Sequence, residues 1–452
     1  MVLEFDLVIA AGTVVDPENG LYAADIGVKD GRIAGLLAPG GQYDCEMVDA
    51  AGLHVFPGLI DAHIHFGFGE PITEYTTETI YAAQGGFSTV LGYFLNSEPY
   101  GTVFQRELDY AEARAHVDFG FHFSTANERH IDELDQYARE YGVTSFKYFM
   151  NFRGEEGRYL GLNGTDDGYL YALLEKAASL GDLTIVLHTE NIEIVNRFRR
   201  AAQAAGKNTL RDWCLSKPAF TEAENVIRAM YFAEYLGAKI YIPHLSSRLA
   251  LDEVRRWRER YDRIYVETCP HYLTHTLDAD IGSIGKANPP FRTADDVAAL
   301  WEGLADGSID VVASDHVPRK RATKDKPIWQ ASQGFPGTAT ILPVLLDHGY
   351  HRGLLSLPRI AELLTSAPAR IFGLTTKGKL TIGADADFAL VDLHYRRVVK
   401  AEELGSYSDY SLYDGWTFQG WPRATIVRGQ EVMRDGQIVG AAGHGRYLRR
   451  VP

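Results

Sequence analysis

The feature that most constrains this chain is a periodicity that changes twice along its length. From about residue 53 to residue 375, short apolar runs alternate with longer amphipathic stretches such as DGYLYALLEKAASLG (167–181) and AENVIRAMYFAEYLG (223–237). Eight apolar runs can be counted: 55–65, 87–93, 117–123, 143–149, 184–189, 239–245, 264–270 and 309–315. Strand-length runs separated by helices cannot pair as hairpins, so they read as a parallel sheet, and eight of them read as a (β/α)8 barrel of the TIM type. The two ends differ. Residues 1–52 and 376–452 are short β-rich runs punctuated by Asn19-Gly20, Asp30-Gly31 and Asp435-Gly436, dipeptides that favour positive φ in tight hairpins. VKDGRIAGL (28–36) and MRDGQIVGA (433–441) are near copies of one hairpin. The expected architecture is therefore α/β: a barrel over 53–375, and a small β-sandwich built jointly from 1–52 and 376–452.

Composition narrows the function classes. With 46% hydrophobic and 23% charged residues, the 452-residue chain is an ordinary globular protein rather than a disordered or coiled-coil one. The 45 Lys+Arg against 60 Asp+Glu give a net charge of −15, a field that repels phosphate backbones and anionic lipid, so no nucleic-acid or membrane partner is expected. Cys45, Cys214 and Cys269 are too scattered for a disulfide framework or a thiolate metal site. Glu4 and Asp6 stand where a signal peptide needs positive charge, and no apolar run reaches membrane-spanning length, so a cytoplasmic location is expected.

In a parallel barrel, side chains from several strands converge only at the C-terminal strand ends, so those ends are where chemistry is to be sought. The first run closes with His63 and His65, which share a face because alternate strand residues point the same way. Asp61 lies deeper on that face and is a candidate to orient a ligand. Run four, VTSFKYFM, buries Lys147 among aromatics, where an ammonium needs a partner or a chemical change. Run five ends at His188, run six at His244 and run eight at Asp315. One His-x-His pair carries little information, but six such residues at the ends of five runs point to metal chemistry. Phe66, Phe68, Tyr93, Phe94, Phe149 and Phe152 cluster near the same ends and read either as an apolar substrate pocket or as core.

The motifs PGLIDAHIHF (57–66), FKYFM (146–150), HTEN (188–191), HLSS (244–247), CPHYL (269–273), NPPFR (288–292), ASDH (313–316) and GADADFALVD (383–392) follow one another over nearly the whole chain. In this order the sequence resembles the amidohydrolase superfamily, and within it the cyclic amidohydrolases: dihydropyrimidinase, hydantoinase, allantoinase and dihydroorotase. The resemblance implies two divalent metals, usually zinc, bridged by a carboxylated lysine. By the same resemblance His63, His65 and Asp315 serve the more buried metal, His188 and His244 the more exposed one, and Lys147 bridges both. Physics agrees with the bridge, since an ammonium cannot ligate a cation whereas a carbamate offers two hard oxygens. The resemblance further implies a water or hydroxide between the metals as nucleophile, and Asp315 as the shuttle that passes its proton to the leaving nitrogen. The implied substrate is a small cyclic amide, namely a hydantoin, a dihydropyrimidine or a related cyclic ureide or imide, and the implied assembly is a homotetramer. Allantoin or a lactone is the alternative substrate. A non-catalytic scaffold, as in the dihydropyrimidinase-related proteins, is the alternative from another class, but those proteins lack metal ligands and all six positions are filled here.

Departures from the family pattern bear on the substrate. Gly67 stands where dihydroorotases carry an arginine for the substrate carboxylate, which disfavours a carboxylated ring. Phe152 stands where hydantoinases and dihydropyrimidinases place a tyrosine that donates to the oxyanion; Tyr148, Asn151 or Tyr159 could replace that hydroxyl, or nothing does. Asn288 in KANPPFR falls where the family reads the cyclic amide, although Pro289-Pro290 would also fix a turn there. Gln333 in SQGFPGT lies where the pyrimidine-type enzymes contact the ring through the backbone. His316 either touches substrate or buttresses Asp315, and His271 in CPHYL is expected to be structural.

Overall fold

The computed structural model describes residues 4–153, 157 and 165–451. Eight parallel strands run in sequence order through one sheet: β1 (Leu59–His65), β2 (Phe87–Phe94), β3 (Asp118–Ser124), β4 (Ser145–Phe149), β5 (Thr184–His188), β6 (Lys239–Ile242), β7 (Ile264–Thr268) and β8 (Val311–Val312). The ring closes just past β8, where the His65 N–H donates to the His316 carbonyl at 2.8 Å and Ile64 bridges His316 in parallel. This is the TIM-like barrel expected from the eight runs. Its helices carry the end signals that such segments need: Asp166 caps Asp167–Ser179 through the Tyr169 N–H, and Thr293 and Asp296 form a capping box on Ala294–Asp306.

The terminal segments form two further sheets. One has four strands, Arg32–Leu37, Asp25–Lys29, Leu7–Ala10 and Glu46–Asp49; the other has seven and takes strands from both ends of the chain. Between them lies a core that includes Ile9, Val14, Ile26, Val55, Phe388 and Ile426, which makes the pair a sandwich. The two similar hairpins turn as their dipeptides require, with φ of 50° and 73° at Asp30-Gly31 and 48° and 81° at Asp435-Gly436. They lie in different sheets.

The first apolar run divides. His54–Pro57 pairs with Phe388–Val398 in the seven-stranded sheet, and the barrel strand begins only at Leu59. Gly58 makes the crossing possible, because a Cβ there would stand 2.2 Å from Ser88 Oγ and 2.4 Å from the Asp387 Cβ. Both segments are buried, so hydrophobicity alone reads straight through the boundary.

A buried ion cluster locks the sandwich to the barrel. Lys377 Nζ lies 2.5 Å from Asp118 at the start of β3, and 3.1 and 2.7 Å from Asp385 and Asp387 of the GADAD segment, while Arg428 also pairs with Asp118. The chain's last residues leave the sandwich and pack on the barrel. Leu448 N–H donates to the Phe119 carbonyl, and the 2%-exposed Arg450 donates to Ser145 Oγ at 2.7 Å and to the Phe121 carbonyl. Among the described residues no helix is long and apolar enough to cross a membrane.

Candidate metal centre and substrate cavity

Strand periodicity aims the site. On β4, Lys147 faces the barrel interior while its neighbours Phe146 and Tyr148 face the helices, where Tyr148 stacks on Tyr169. On β1, His63 and His65 reach the same mouth. His63 Nε2 lies 3.0 Å, and His65 Nε2 3.2 Å, from Asp315 Oδ1, and the two imidazole nitrogens are 3.3 Å apart. These three side chains converge tightly enough to hold a metal ion. The His188 and His244 rings lie 4.4 Å apart by centroid, with His244 5.4 Å from His63. Lys147, only 1% exposed, places its Nζ 4.9 Å from the Tyr93 ring and 5.2 Å from the Phe149 ring. All six side chains line one cavity of about 1100 Å³.

His244 and Asp315 lie just beyond the strands that carry them, and both have left-handed backbone, with φ of 43° and 50°. That conformation is uncommon for residues other than glycine and asparagine, and it re-aims each side chain over the barrel mouth.

The electrostatics suit a cation. Burial drives the Lys147 ammonium down to about 8 from an ordinary 10.5, against the attraction of Asp315 and Glu267, so a neutral amine is accessible near neutral pH. Burial opposes protonation of His63, but Glu267 and Asp315 outweigh it and hold the imidazole up at about 9. Burial also lowers His65, to about 4, and pushes His244 well below the usual imidazole range. Burial alone would raise Asp315, yet His63, His65 and His244 keep its carboxyl well below the ordinary value. The Nδ1 of His244 is buried with no hydrogen-bond partner. Imidazoles at close quarters, an ionised carboxylate between them, an orphaned ring nitrogen and a buried amine fit a divalent metal centre.

Three residues without an assigned part in the sequence reading complete the surroundings. Glu267, at the end of β7, accepts from His63 Nδ1 at 2.7 Å, from the His244 N–H at 3.0 Å and from the Tyr241 hydroxyl at 2.7 Å. Glu190 of HTEN lies 2.7 Å from His188 Nε2. His122, inside β3, contacts Ser145 Oγ at 2.6 Å and the Ala62 carbonyl at 3.1 Å, and stacks under Tyr93. Glu267 and His122 sit within the runs 264–270 and 117–123, and Glu190 falls one residue past the run 184–189, two residues beyond His188. Asp61 departs from its expected part. It contacts no imidazole and instead accepts from the backbone N–H groups of His63 and Ser314 and from the Ser314 and Thr338 hydroxyls, tying β1 to the segment beyond β8.

On the substrate side, Phe152, Asn288 and Gln333 line the cavity. Phe152 packs with Leu95, Ala126 and Phe149 into an apolar wall, with its ring 6.5 Å from His188. The Asn288 Oδ1 is buried without a partner. His316 does not reach the cavity: it is fully buried, its Nε2 stands 2.8 Å from Glu78, and its Nδ1 accepts from the Gly337 N–H at 3.2 Å. The neighbouring Asp315 lines the mouth, whereas His316, next in sequence, turns its ring to Glu78 and Gly337, so it is not a substrate-contacting residue. Tyr148 is also withdrawn, its hydroxyl donating to the Asp166 carbonyl at 2.9 Å. Asn151 is buried and does not line the cavity, and Tyr159 falls outside the described residues. Gly67 has φ of 89° with its N–H held by Glu74, a backbone that an arginine rarely adopts. His271 is buried against Tyr272 and Phe335.

Comparison with known proteins agrees with this architecture. The amidohydrolase family model matches residues 54–432. An allantoinase of Rubrobacter xylanophilus is 38% identical over 456 residues, covering 98% of each chain, and a D-phenylhydantoinase of Escherichia coli is 34% identical over 99% of this chain and 98% of its own. The crystal structure of dihydropyrimidinase from Brevibacillus agri superimposes with a TM-score of 0.91 at 28% identity, over 98% of both chains. The chain belongs to the amidohydrolase family. Its relatives are hydrolases of cyclic amide C–N bonds, and it is an enzyme of that kind.

Proposed function

We propose that this protein is a dinuclear metal-dependent hydrolase that opens the ring amide of a cyclic ureide of the hydantoin type, with allantoin, a hydantoin bearing a ureido group, as the first substrate to test. The observation that carries this reading is the convergence of four imidazoles, one carboxylate and one buried lysine on a single cavity. His63, His65 and Asp315 would hold the inner metal, His188 and His244 the outer one, and Lys147, as its carbamate, would bridge them. Zinc is the metal expected at both positions. When bound, such metals bring the pKa of water down to about 7 and polarise the carbonyl under attack. Asp315 engages both His63 and His65 through Oδ1, which leaves Oδ2 to take the proton of the attacking water and deliver it to the departing ring nitrogen. The ring C–N bond breaks and one water is added, so the ring opens to a single linear product with a carboxylate at one end and the freed, protonated nitrogen at the other.

The unpartnered Asn288 Oδ1 is placed to accept a ring N–H. Gln330, Ser332 and Gln333 give the cavity a polar side suited to a ureido group. The apolar lining residues Leu95, Phe149 and Phe152, with Phe68, favour a second reading, an aryl-substituted hydantoin. A hydrolysis screen of allantoin, 5-phenylhydantoin, dihydrouracil, a cyclic imide and a lactone, on protein grown with zinc and bicarbonate, separates the readings. Allantoin is expected to open fastest. Turnover of the lactone alone would refute cyclic-amide hydrolysis.

The same reading places the enzyme in the cytoplasm as a homotetramer. One helix, Phe220–Leu236, supports assembly by exposing Phe220, Ile227, Tyr231 and Tyr235 along one side, Tyr235 to 74%, beside the exposed Leu249. Sedimentation showing only a 50.2 kDa species at micromolar concentration would refute it.

A further inference from the structure

We propose that Lys217 tunes the outer metal position through Glu190, making that position the weaker-binding and more Lewis-acidic of the two. The inference rests on the metal-centre reading above and concerns residues that touch neither substrate nor metal. Glu190 and Lys217 are therefore positioning residues.

The two histidine-bearing positions are backed by different charge arrangements. Behind the inner one, His63 Nδ1 contacts Glu267 Oε1 at 2.7 Å, and the other partners of that carboxylate are neutral, the Tyr241 hydroxyl and the His244 backbone N–H. Among the described residues no lysine or arginine nitrogen lies within 4.0 Å of Glu267. Behind the outer position, His188 Nε2 contacts Glu190 Oε2 at 2.7 Å, which leaves Nδ1 as the nitrogen for a metal. The other oxygen of Glu190 lies 3.1 Å from Lys217 Nζ. Glu190 is wholly buried and Lys217 is 1% exposed, its ammonium resting 5.3 Å from the Trp213 ring. Arg292 stands behind the pair and donates to the Lys217 carbonyl and to Ser246 Oγ.

A carboxylate hydrogen-bonded to the far nitrogen of a ligating imidazole makes that imidazole a stronger donor. An ammonium on the same carboxylate takes part of that charge back, and in a buried site the effect is unscreened by salt. Glu267 thus backs its histidine with a full negative charge, whereas Glu190 backs His188 with a charge that Lys217 has partly neutralised. The poorer donor holds its metal less tightly and leaves it a stronger Lewis acid, which is what polarising a ring carbonyl requires.

The two charges predict opposite signs. In the metal-replete full-length enzyme, zinc per chain is followed by elemental analysis as free zinc is lowered with a chelator buffer, with visible absorption of the cobalt-substituted protein as a second readout. The wild type should release its metals in two steps. Glu190→Gln should move the weaker step to about 10–100-fold higher free zinc, the usual size of such effects. Lys217→Met should move the same step the other way, with the tighter step unchanged in both. A residue that merely supports the fold would weaken the step in both variants, and that result overturns the proposal. Lys217→Met leaves a lone buried carboxylate and could fail to fold, so the double variant E190Q/K217M, which buries no lone charge, carries the test independently. It should bind the outer metal more tightly than Glu190→Gln alone, and equal or weaker binding overturns the proposal. A wild type that releases only one zinc per chain refutes the dinuclear reading itself and this inference with it.

Discussion

Reloading the metal-free protein at different pH values should expose Lys147 as a lysine unlike any on the surface. Carbon dioxide adds only to a neutral amine, so the rate of carbamate formation scales with the deprotonated fraction. Burial, partly offset by Asp315 and Glu267, brings Lys147 from 10.5 to about 8. At pH 7 the neutral fraction is then roughly 9%, against about 0.03% for an unperturbed lysine, a gain of about 300-fold. The sign follows from the direction of the shift: the lowered amine is charged below its pKa and reactive above it. Loading should therefore rise about tenfold per pH unit between pH 6 and 7.5 and level off above about pH 9. The assay holds dissolved CO2 constant and follows the initial rate of carbamate formation itself, with 13C-labelled bicarbonate read by carbon NMR, because metal uptake also waits on deprotonation of His63. A rate that is flat from pH 6 to 9, or one still climbing tenfold per unit at pH 10, would refute the assignment of a depressed amine to Lys147.

Three further outcomes follow from the geometry. Asp315→Asn keeps a carbonyl oxygen at the histidine pair but cannot take up a proton, so kcat should fall by about 10²–10⁴-fold while most of the metal is retained; full metal with near-normal kcat would remove the shuttle role. Lys377→Met strips the shared cation from Asp118, Asp385 and Asp387 and should cost about 3–5 kcal/mol, read as a lowered thermal midpoint; a loss under about 1 kcal/mol would show that the cluster does not hold sandwich to barrel. Arg450→Ala removes a buried donor from the Phe121 carbonyl and from Ser145 Oγ, which keeps only His122, and should cost about 1–3 kcal/mol, whereas unchanged denaturant unfolding would show that the C-terminal segment does not stabilise the barrel.

Much of this was legible in the sequence because barrel strands are short, buried and separated by helices, so their ends can be located from hydrophobicity alone. His63, His65, Lys147, His188, His244 and Asp315 all fell at those ends, and the structure places all six on one cavity. What stayed hidden has two physical causes. Burial on both sides erases boundaries: 55–65 reads as one run, although Gly58 passes the chain from one sheet to another. Direction is the other cause. His316 adjoins Asp315 yet turns to Glu78, and Asp61 shares its strand with His63 yet bonds backbone rather than imidazole. Glu267 in VETC has its partner, His63, on a distant strand, so its part shows only once the barrel is closed, whereas Glu190 in HTEN pairs with His188 two residues away and could have been read from strand alternation.

The central claim is a two-metal centre bridged by Lys147, and its most direct test is the metal content of the wild type and of Lys147→Ala, prepared side by side from cells grown with zinc and bicarbonate. The wild type should hold close to two divalent metals per chain. Lys147→Ala should lose them, and should regain part of both metal and activity when a short carboxylic acid supplies the two missing oxygens. A wild type with no more than one metal, or a Lys147→Ala variant that keeps two unaided, would contradict the account.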